Sequence, residues 1–248
     1  HLWLLKHYLI YNMVNFTIVV PVFNEKENLS RLETELMKFI NSSKYKTKVL
    51  IINDGSTDGS KEIIEKLCSK NSYFESVSFK ENNGLSSALK AGFDLCKSEY
   101  IGYIDADLQT SPSDFHVLLE YVPEFDLVTG YRSKRRDSIV KKITSIAANR
   151  IRNIFTNDKM NDTGCPLKVI KADFAKKIPM FKGLHRFLPA MILLQKGKII
   201  EIPVKHFPRI AGKAKFGLFN RILGPLSDCF AFIWMKKKYI NYQIEDNG

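Results

Sequence analysis

Two carboxylates directly follow an apolar strand. The apolar and aromatic run 100–104 leads into Asp105, Ala106 and Asp107. Residues i and i+2 of an extended chain point to the same side, so the two aspartates could approach one cation. Neighbouring carboxylates repel each other unless a charge compensates, and a hard divalent ion such as Mg²⁺ takes oxygen ligands. Alternatively, the aspartates start a turn and cap a helix that begins near Pro112.

Two further strand ends carry polar side chains. The β-branched run 16–22 ends at Asn24 and Glu25, and the run 48–53 ends at Asp54 in a Gly-Ser-Thr turn. Open α/β sheets bind ligands at the carboxyl ends of their parallel strands. The sequence therefore predicts one crevice formed by three strand ends, with room for a ligand that carries a diphosphate.

Strands and helices alternate from Phe16 onward, which predicts an α/β fold with a mostly parallel sheet. Apolar residues at helical spacing predict helices over about residues 26–41, after Gly59, and over 84–96. Beyond Arg132 the alternation weakens. The residues of the third helix that we expect to face the sheet are Leu85, Ala88, Leu89, Gly92 and Leu95.

In the order and spacing of its motifs, the chain resembles glycosyltransferase family 2. The resemblance covers roughly residues 16–217 and is strongest to the branch of dolichol-phosphate mannose synthase and the bacterial polyprenyl-phosphate glycosyltransferases. It implies a GT-A fold, with a Rossmann-like sheet flanked by helices. The motifs that carry it are Pro21–Glu25, Asn53–Gly59, Asn82–Gly84, Asp105–Gln109, Gly130–Arg132 and Asp162–Cys165.

The resemblance implies a metal-dependent, inverting transfer from a UDP- or GDP-sugar. Asp54 would accept the imide N–H of uracil or the N1–H of guanine, a charge-assisted hydrogen bond. The cofactor would be Mg²⁺ or Mn²⁺, which stabilises the departing nucleoside diphosphate. The residues implied for donor binding are Pro21, Phe23, Glu25, Asp54 and Asp105, and those implied for the metal are Asp105, Asp107 and Gln109.

The acceptor that the resemblance implies is a polyprenyl phosphate of the dolichol or undecaprenyl type. This nucleophile is already anionic, so its site needs cations more than a base. By resemblance, Arg132, Arg209 and Lys215 bind its phosphate, and Asp107, Asp162 and Arg132 are the catalytic residues. The rival enzyme is a family 2 transferase that acts on a glycan or lipid hydroxyl, with Asp162 as its base. A third interpretation of Asp162 is a cap of the following turn.

The formal net charge of +12 suits a partner rich in phosphate or an anionic membrane. Basic residues crowd two stretches, 134–152 and 205–215, and a solvated face would explain either equally well. A basic nucleic-acid-binding protein is the remote alternative, but the aromatic platforms and helix motifs that would support it are missing. We therefore expect no nucleic-acid partner.

The two ends of the chain are predicted to lie outside the catalytic domain, which we place at 16–215. Residues 1–15 form an apolar leader, and Met13 is the expected natural start. Residues 216–248 form a tail whose apolar residues recur at helical spacing and end before Lys236–Lys238. We expect an amphipathic helix that lies on an anionic membrane at its cytoplasmic face; a helix docked on the core is the alternative. An integral membrane partner and a homo-oligomer both stay open.

Overall fold

The computed structural model describes residues 15–132, 149–208 and 223–240. Within these ranges one sheet of seven strands runs through the chain. The strands are β1 (Asn15–Val22), β2 (Lys46–Asn53), β3 (Phe74–Ser78), β4 (Tyr100–Tyr103), β5 (Leu127–Arg132), β6 (Lys168–Lys171) and β7 (Ile199–Val204).

Helices connect most of these strands. They are α1 (Leu29–Ser42), α2 (Ser60–Lys70), α3 (Leu85–Leu95), α4 (Phe115–Leu118), α5 (149–156), α6 (Ala172–Lys176), α7 (Leu188–Leu194) and α8 (Leu223–Lys238). Short 3₁₀ turns at Pro112–Asp114 and Leu184–Phe187 precede α4 and α7.

The sheet has the order β3-β2-β1-β4-β6-β5-β7. Only β6 among these strands runs antiparallel to its neighbours, β4 and β5; the other pairs are parallel. The predicted α/β class with a mostly parallel sheet is confirmed. The reversed strand has a direct consequence, because it brings its first residue, Lys168, opposite Tyr103 and Thr129 near the carboxyl ends of β4 and β5.

Two apolar layers cover the two faces of the sheet. Strand β1 shows the division, since Phe16 and Ile18 belong to one layer and Val19 to the other. Both layers are buried, which is why this strand is apolar almost throughout. Helices α1 and α4 close the first layer, where Phe39 and Phe115 pack at 5.6 Å between ring centroids. Helices α3 and α7 close the second.

The helix predictions hold in position and fail in one detail. Helix α3 was expected to turn Leu95 to the sheet, but this side chain is 50 % exposed. Three of the predicted residues, Ala88, Leu89 and Gly92, do face the sheet, whereas Leu95 lies at the edge of the stripe in the last turn. The buried residues of the helix are Ser86, Ala88, Leu89, Gly92 and Phe93, and Cys96 follows them.

Helix α8 docks on the domain along one side. Phe232 stacks on Phe187 at 5.4 Å, and Asp228 pairs with Arg186 at 3.2 Å. The opposite side exposes Phe230 (60 %) and Trp234 (68 %). The docked alternative therefore holds for one face of α8, and the expected contact with a membrane stays a prediction. Among the helices of the described ranges, none is long and apolar enough to cross a membrane.

Candidate active site

The loops after β1 and β2 are joined into one edge. Asn24, whose φ of 52° is left-handed, accepts the N–H of Thr57 through Oδ1 at 2.8 Å. The Asn24 N–H donates to the Ser56 hydroxyl at 3.0 Å, and the Lys26 N–H donates to Asp58 at 3.1 Å. Because Asn tolerates the left-handed region, the chain can turn sharply here. The two loops therefore position each other, as a shared binding crevice requires.

Asp54 lies at the end of β2 and is only 3 % exposed. Its Oδ1 accepts the N–H of Asn83 at 2.7 Å. Its Oδ2 accepts the N–H of Gly84 at 2.9 Å and the side-chain Nδ2 of Asn82 at 3.0 Å. A carboxylate with three donors is strongly fixed, so Asp54 ties the end of β2 to the loop that begins α3. Asp54 as a contact for the base stays a prediction.

Asp105 and Asp107 follow β4 in a tight turn. The Asp107 carboxylate accepts the N–H of Gln109 at 3.2 Å, and Asp107 is only 6 % exposed. Leu108, between Asp107 and Gln109, has a left-handed φ of 52°. The alternative holds in part, because the two aspartates do start a turn, in which the N–H of Leu108 donates to the carbonyl of Asp105 at 3.4 Å. They do not cap the following 3₁₀ turn, whose cap is Ser111, which accepts the N–H of Ser113 at 3.3 Å. A role of the two aspartates in the crevice stays a prediction.

The surroundings of Asp105 destabilise the ionised form of its carboxyl group. Burial, followed by the negative charge of Asp107, raises the pKa of Asp105 to about 6. The Tyr103 hydroxyl donates to its Oδ1 at 2.8 Å. A bound divalent cation would remove this repulsion, and the oxygen-only donors of the turn suit Mg²⁺ or Mn²⁺. The expected ligands Asp105, Asp107 and Gln109 therefore fit such an ion.

The rest of the metal shell would have to come from a substrate. Within the described ranges, no group of three or more His, Cys, Asp or Glu side chains could hold a metal ion. Two carboxylates and one amide leave ligand positions for diphosphate oxygens, the usual arrangement for Mg²⁺.

Arg132 and Asp162 form a buried ion pair beside this turn. Nε of Arg132 donates to Oδ2 of Asp162 at 2.7 Å, and Nη2 donates to Oδ1 at 2.8 Å. The Arg132 backbone N–H adds a third bond to Oδ2 at 3.2 Å. The arrangement is bidentate, and the side chains are only 14 % and 8 % exposed. Asp162 is therefore engaged by a guanidinium.

The turn that carries Asp162 is held from both sides. The carboxylate of Glu201 on β7 accepts the N–H groups of Asn161 and Asp162, the latter at 2.9 Å. On the other side Lys168, 1 % exposed, donates to the carbonyls of Thr163 (3.2 Å) and Cys165. The reversed direction of β6 supplies this lysine, so the fold itself places a buried amine, whose pKa burial lowers, against the turn that carries Asp162.

The basic segment after β7 passes next to the aspartate turn. The N–H of Phe207 donates to the carbonyl of Gln109 at 2.9 Å, and the N–H of Lys205 donates to Asp114 at 3.1 Å. Arg209 and Lys215, which the sequence predicts as phosphate ligands, lie outside the described residues. Arg132 as a phosphate ligand stays a prediction.

Comparison with known proteins settles the family. The family model described as "Glycosyl transferase family 2" matches residues 17–178. The chain belongs to glycosyltransferase family 2. The expected resemblance to this family is confirmed. The chain is therefore a glycosyltransferase, as the family's name states. All the described candidate residues from Pro21 to Asp162 fall inside the matched range.

Two curated relatives are about 30 % identical to this chain over the residues that align. Dodecaprenyl-phosphate galacturonate synthase of Rhizobium johnstonii is 30 % identical over 226 residues, which are 88 % of this chain and 67 % of that protein. Undecaprenyl-phosphate 4-deoxy-4-formamido-L-arabinose transferase of Edwardsiella ictaluri is 31 % identical over 208 residues, 83 % of this chain. The chain spans only 64 % of that second relative's length.

Solved structures with little sequence identity share the fold. Glucosyl-3-phosphoglycerate synthase from Mycobacterium tuberculosis, in complex with phosphoglyceric acid, has a TM-score of 0.71 at 11 % identity. The match covers 95 % of this chain and 85 % of that one. The same protein with Mn²⁺, uridine diphosphate and glucosyl-3-phosphoglycerate has a TM-score of 0.68 at 12 % identity, over 94 % and 82 % of the two chains. The GT-A expectation for this family 2 chain is confirmed.

Sequence reasoning missed Lys168, which became visible only through its contacts, because a strand lysine carries no signal by itself. Asn82 begins a motif that supports the resemblance, but the contact of its side chain with Asp54 became visible only in the structure. His185 also contributes to this region. Its Nδ1 is hydrogen-bonded to the Ser86 hydroxyl at 2.9 Å, and burial lowers the pKa of His185 to about 3. The imidazole is therefore neutral and joins the turn before α7 to the start of α3.

Proposed function

We propose that this family 2 chain transfers a sugar from a nucleotide-sugar donor to a polyprenyl phosphate, with inversion at C1. Both curated relatives carry names of enzymes that act on dodecaprenyl or undecaprenyl phosphate. The observation that carries the proposal is the bidentate pair of Arg132 and Asp162. Both oxygens of this carboxylate already accept hydrogen bonds from the guanidinium, which disfavours its use as a base for a hydroxyl acceptor and favours an acceptor that needs no base.

On the donor side, the nucleoside lies along the joined loops after β1 and β2. Pro21, Phe23 and Glu25 are all half-buried there, so each keeps surface for a ligand. Asp54 accepts an N–H of the base. Asp105, Asp107 and Gln109 hold the divalent ion, which when bound stabilises negative charge on the diphosphate. Complexes of the structural neighbour with Mn²⁺ and uridine diphosphate support this arrangement.

On the acceptor side, the lipid phosphate attacks C1 of the sugar directly. An oxygen of the phosphate forms the new bond to C1 as the bond from C1 to the diphosphate oxygen breaks, so no proton has to be removed. Cations orient the attacking phosphate, and Arg suits this task because of its planar donor fork. Arg209 and Lys215 fill this role in the proposal. Arg132 joins them if the incoming phosphate competes with Asp162 for the guanidinium.

The membrane meets the domain at the exposed side of α8. Trp234 is exposed there, Phe230 is exposed beside it although its ring contacts Phe155 at 5.8 Å, and Lys236–Lys238 follow at the helix end. Apolar side chains next to lysines match the acyl and headgroup zones of an anionic bilayer, where each lysine adds about 1 kcal/mol. We place the enzyme at the cytoplasmic face of the membrane as a peripheral protein, where the lipid acceptor is reached from the surface.

The metal assignment can be tested with Asp107→Asn against a matched control. Asp94→Asn removes a carboxylate of the same type from the exposed side of α3, where it pairs only with Lys90. We expect Asp107→Asn to abolish both transfer and Mn²⁺-dependent binding of the nucleotide in calorimetry, while Asp94→Asn keeps both. Full transfer in excess chelator would contradict the assignment.

The acceptor assignment can be tested with Arg209→Ala against Lys66→Ala, an exposed lysine of α2. We expect Arg209→Ala to raise KM for polyprenyl phosphate at least tenfold and to leave the affinity for the nucleotide unchanged. Lys66→Ala should change neither value. Equal kinetics in both variants would remove Arg209 from the phosphate site.

A further inference from the structure

The Asp54 carboxylate has almost no acceptor capacity left. Each carboxylate oxygen offers about two lone-pair directions, so the group accepts about four hydrogen bonds. Oδ2 already receives two, from the Asn82 side chain at 3.0 Å and from the Gly84 N–H at 2.9 Å. Oδ1 receives one, from the Asn83 N–H at 2.7 Å. Counting the described residues alone, one direction, on Oδ1, is left for a ligand.

The number of acceptor directions left on the Asp54 carboxylate distinguishes between the nucleobases. Guanine presents N1–H and the neighbouring exocyclic amine side by side, and a carboxylate satisfies them with one oxygen each. Here the amine would face Oδ2, whose directions are both used, at a site where Asp54 is 3 % exposed. An unmet buried donor is costly. Uracil presents a single imide N–H between two carbonyls and needs one acceptor direction. Cytosine and adenine present a ring nitrogen lone pair there, which the carboxylate repels.

We infer that the chain selects a uracil nucleotide as its donor and that the Asn82 side chain is a specificity-determining group. Its Nδ2 fills the Oδ2 direction that guanine would need, and its bond to the Asp54 carbonyl at 3.3 Å holds it there. The inference rests on the proposed function, because it takes Asp54 as the contact for the base. It adds which base is accepted and which side chain excludes the other.

The chain offers a matched pair of variants for the test. Asn82→Ala frees one direction on Oδ2, whereas Asn83→Ala does not, because Asn83 reaches Asp54 only through its backbone N–H. The Asn83 side chain bonds instead to the Glu81 carbonyl at 2.9 Å. Both substitutions are of one residue type in one loop, so they share any general effect of loosening it.

The measurement is calorimetric affinity for UDP, GDP and CDP in the presence of Mn²⁺. We expect wild type and Asn83→Ala to prefer UDP over GDP at least tenfold and to bind CDP poorly. In Asn82→Ala the UDP to GDP ratio should fall several-fold, mainly through tighter GDP. A wild-type preference for GDP, or a ratio that Asn82→Ala and Asn83→Ala change equally, would overturn the inference and leave the transferase proposal standing. If no nucleotide binds, the donor proposal and the inference fall together.

Discussion

Removing the charge of Asp162 should destabilise the protein strongly. Asp162→Asn leaves the guanidinium of Arg132, only 14 % exposed, without a counter-charge and breaks a bidentate pair. Losing one partner of a buried pair costs about 3–5 kcal/mol. At about 2–4 °C per kcal/mol for a domain of this size, the melting temperature should fall by about 6–20 °C. Differential scanning fluorimetry and urea unfolding measure both quantities.

A double-mutant cycle measures the interaction energy between Arg132 and Asp162 separately from the contacts that each makes with other residues. The variant Arg132→Met/Asp162→Asn carries no unpaired charge, so it should be more stable than Asp162→Asn alone, with a coupling energy of about 1–3 kcal/mol. The control is Glu35→Gln, which breaks an exposed pair with Lys38 at 2.7 Å and should cost less than about 1 kcal/mol. If Asp162→Asn costs no more than Glu35→Gln, the pair does not hold the site, and Asp162 is free to act as a base.

Three further variants probe the surroundings of the site. Lys168→Met should lower both stability and transfer, with partial rescue by Lys168→Arg, since a fully buried amine donates hydrogen bonds to the carbonyls of the Asp162 turn; unchanged kcat would refute this role. Phe230→Ser/Trp234→Ser should lose co-sedimentation with anionic liposomes and keep nucleotide affinity, and retained sedimentation would place the membrane contact elsewhere. Burial lowers the pKa of His185 to about 3, so the folded protein resists its protonation; the resulting stability is present above about pH 6.5 and is lost as the pH falls toward 3. In His185→Gln, the free energy of unfolding measured with urea should depend less on pH over that window, by up to about 1.4 kcal/mol per pH unit. An unchanged pH profile would contradict this role of His185.

The donor edge of the site could be predicted because it depends on local patterns. Asp54 and Asp105 stand directly after apolar strands, and parallel strands end at one edge whatever else the chain does. Helix α1 buries Leu29, Leu32 and Leu36 at the spacing that its sequence shows. At these positions the spacing of apolar residues in strands and helices and the residue types in turns all predict the structure that is observed.

The acceptor side of the site could not be predicted in the same way, because it depends on contacts between residues far apart in the sequence. The antiparallel insertion of β6 between β4 and β5 has no local signal, and it is what brings Lys168 below the Asp162 turn. Arg132 and Asp162 were each predicted to act at the acceptor site, but their pairing over 30 positions was not. For α8, helical spacing alone predicted an apolar face, whereas the side that docks on the domain is set by the Phe187 ring and by Arg186.

The most direct test of the proposed transfer compares two acceptors that differ only in the phosphate. The chain is incubated with a radiolabelled UDP-sugar panel, Mn²⁺, and either a short polyprenyl phosphate or the matching polyprenol, and label in the lipid extract is counted. We predict transfer to the phosphate only, in a product whose sugar is released by mild acid, and none with the Asp107→Asn variant. Transfer to the polyprenol or to a sugar hydroxyl, with polyprenyl phosphate inert, would contradict the proposed function.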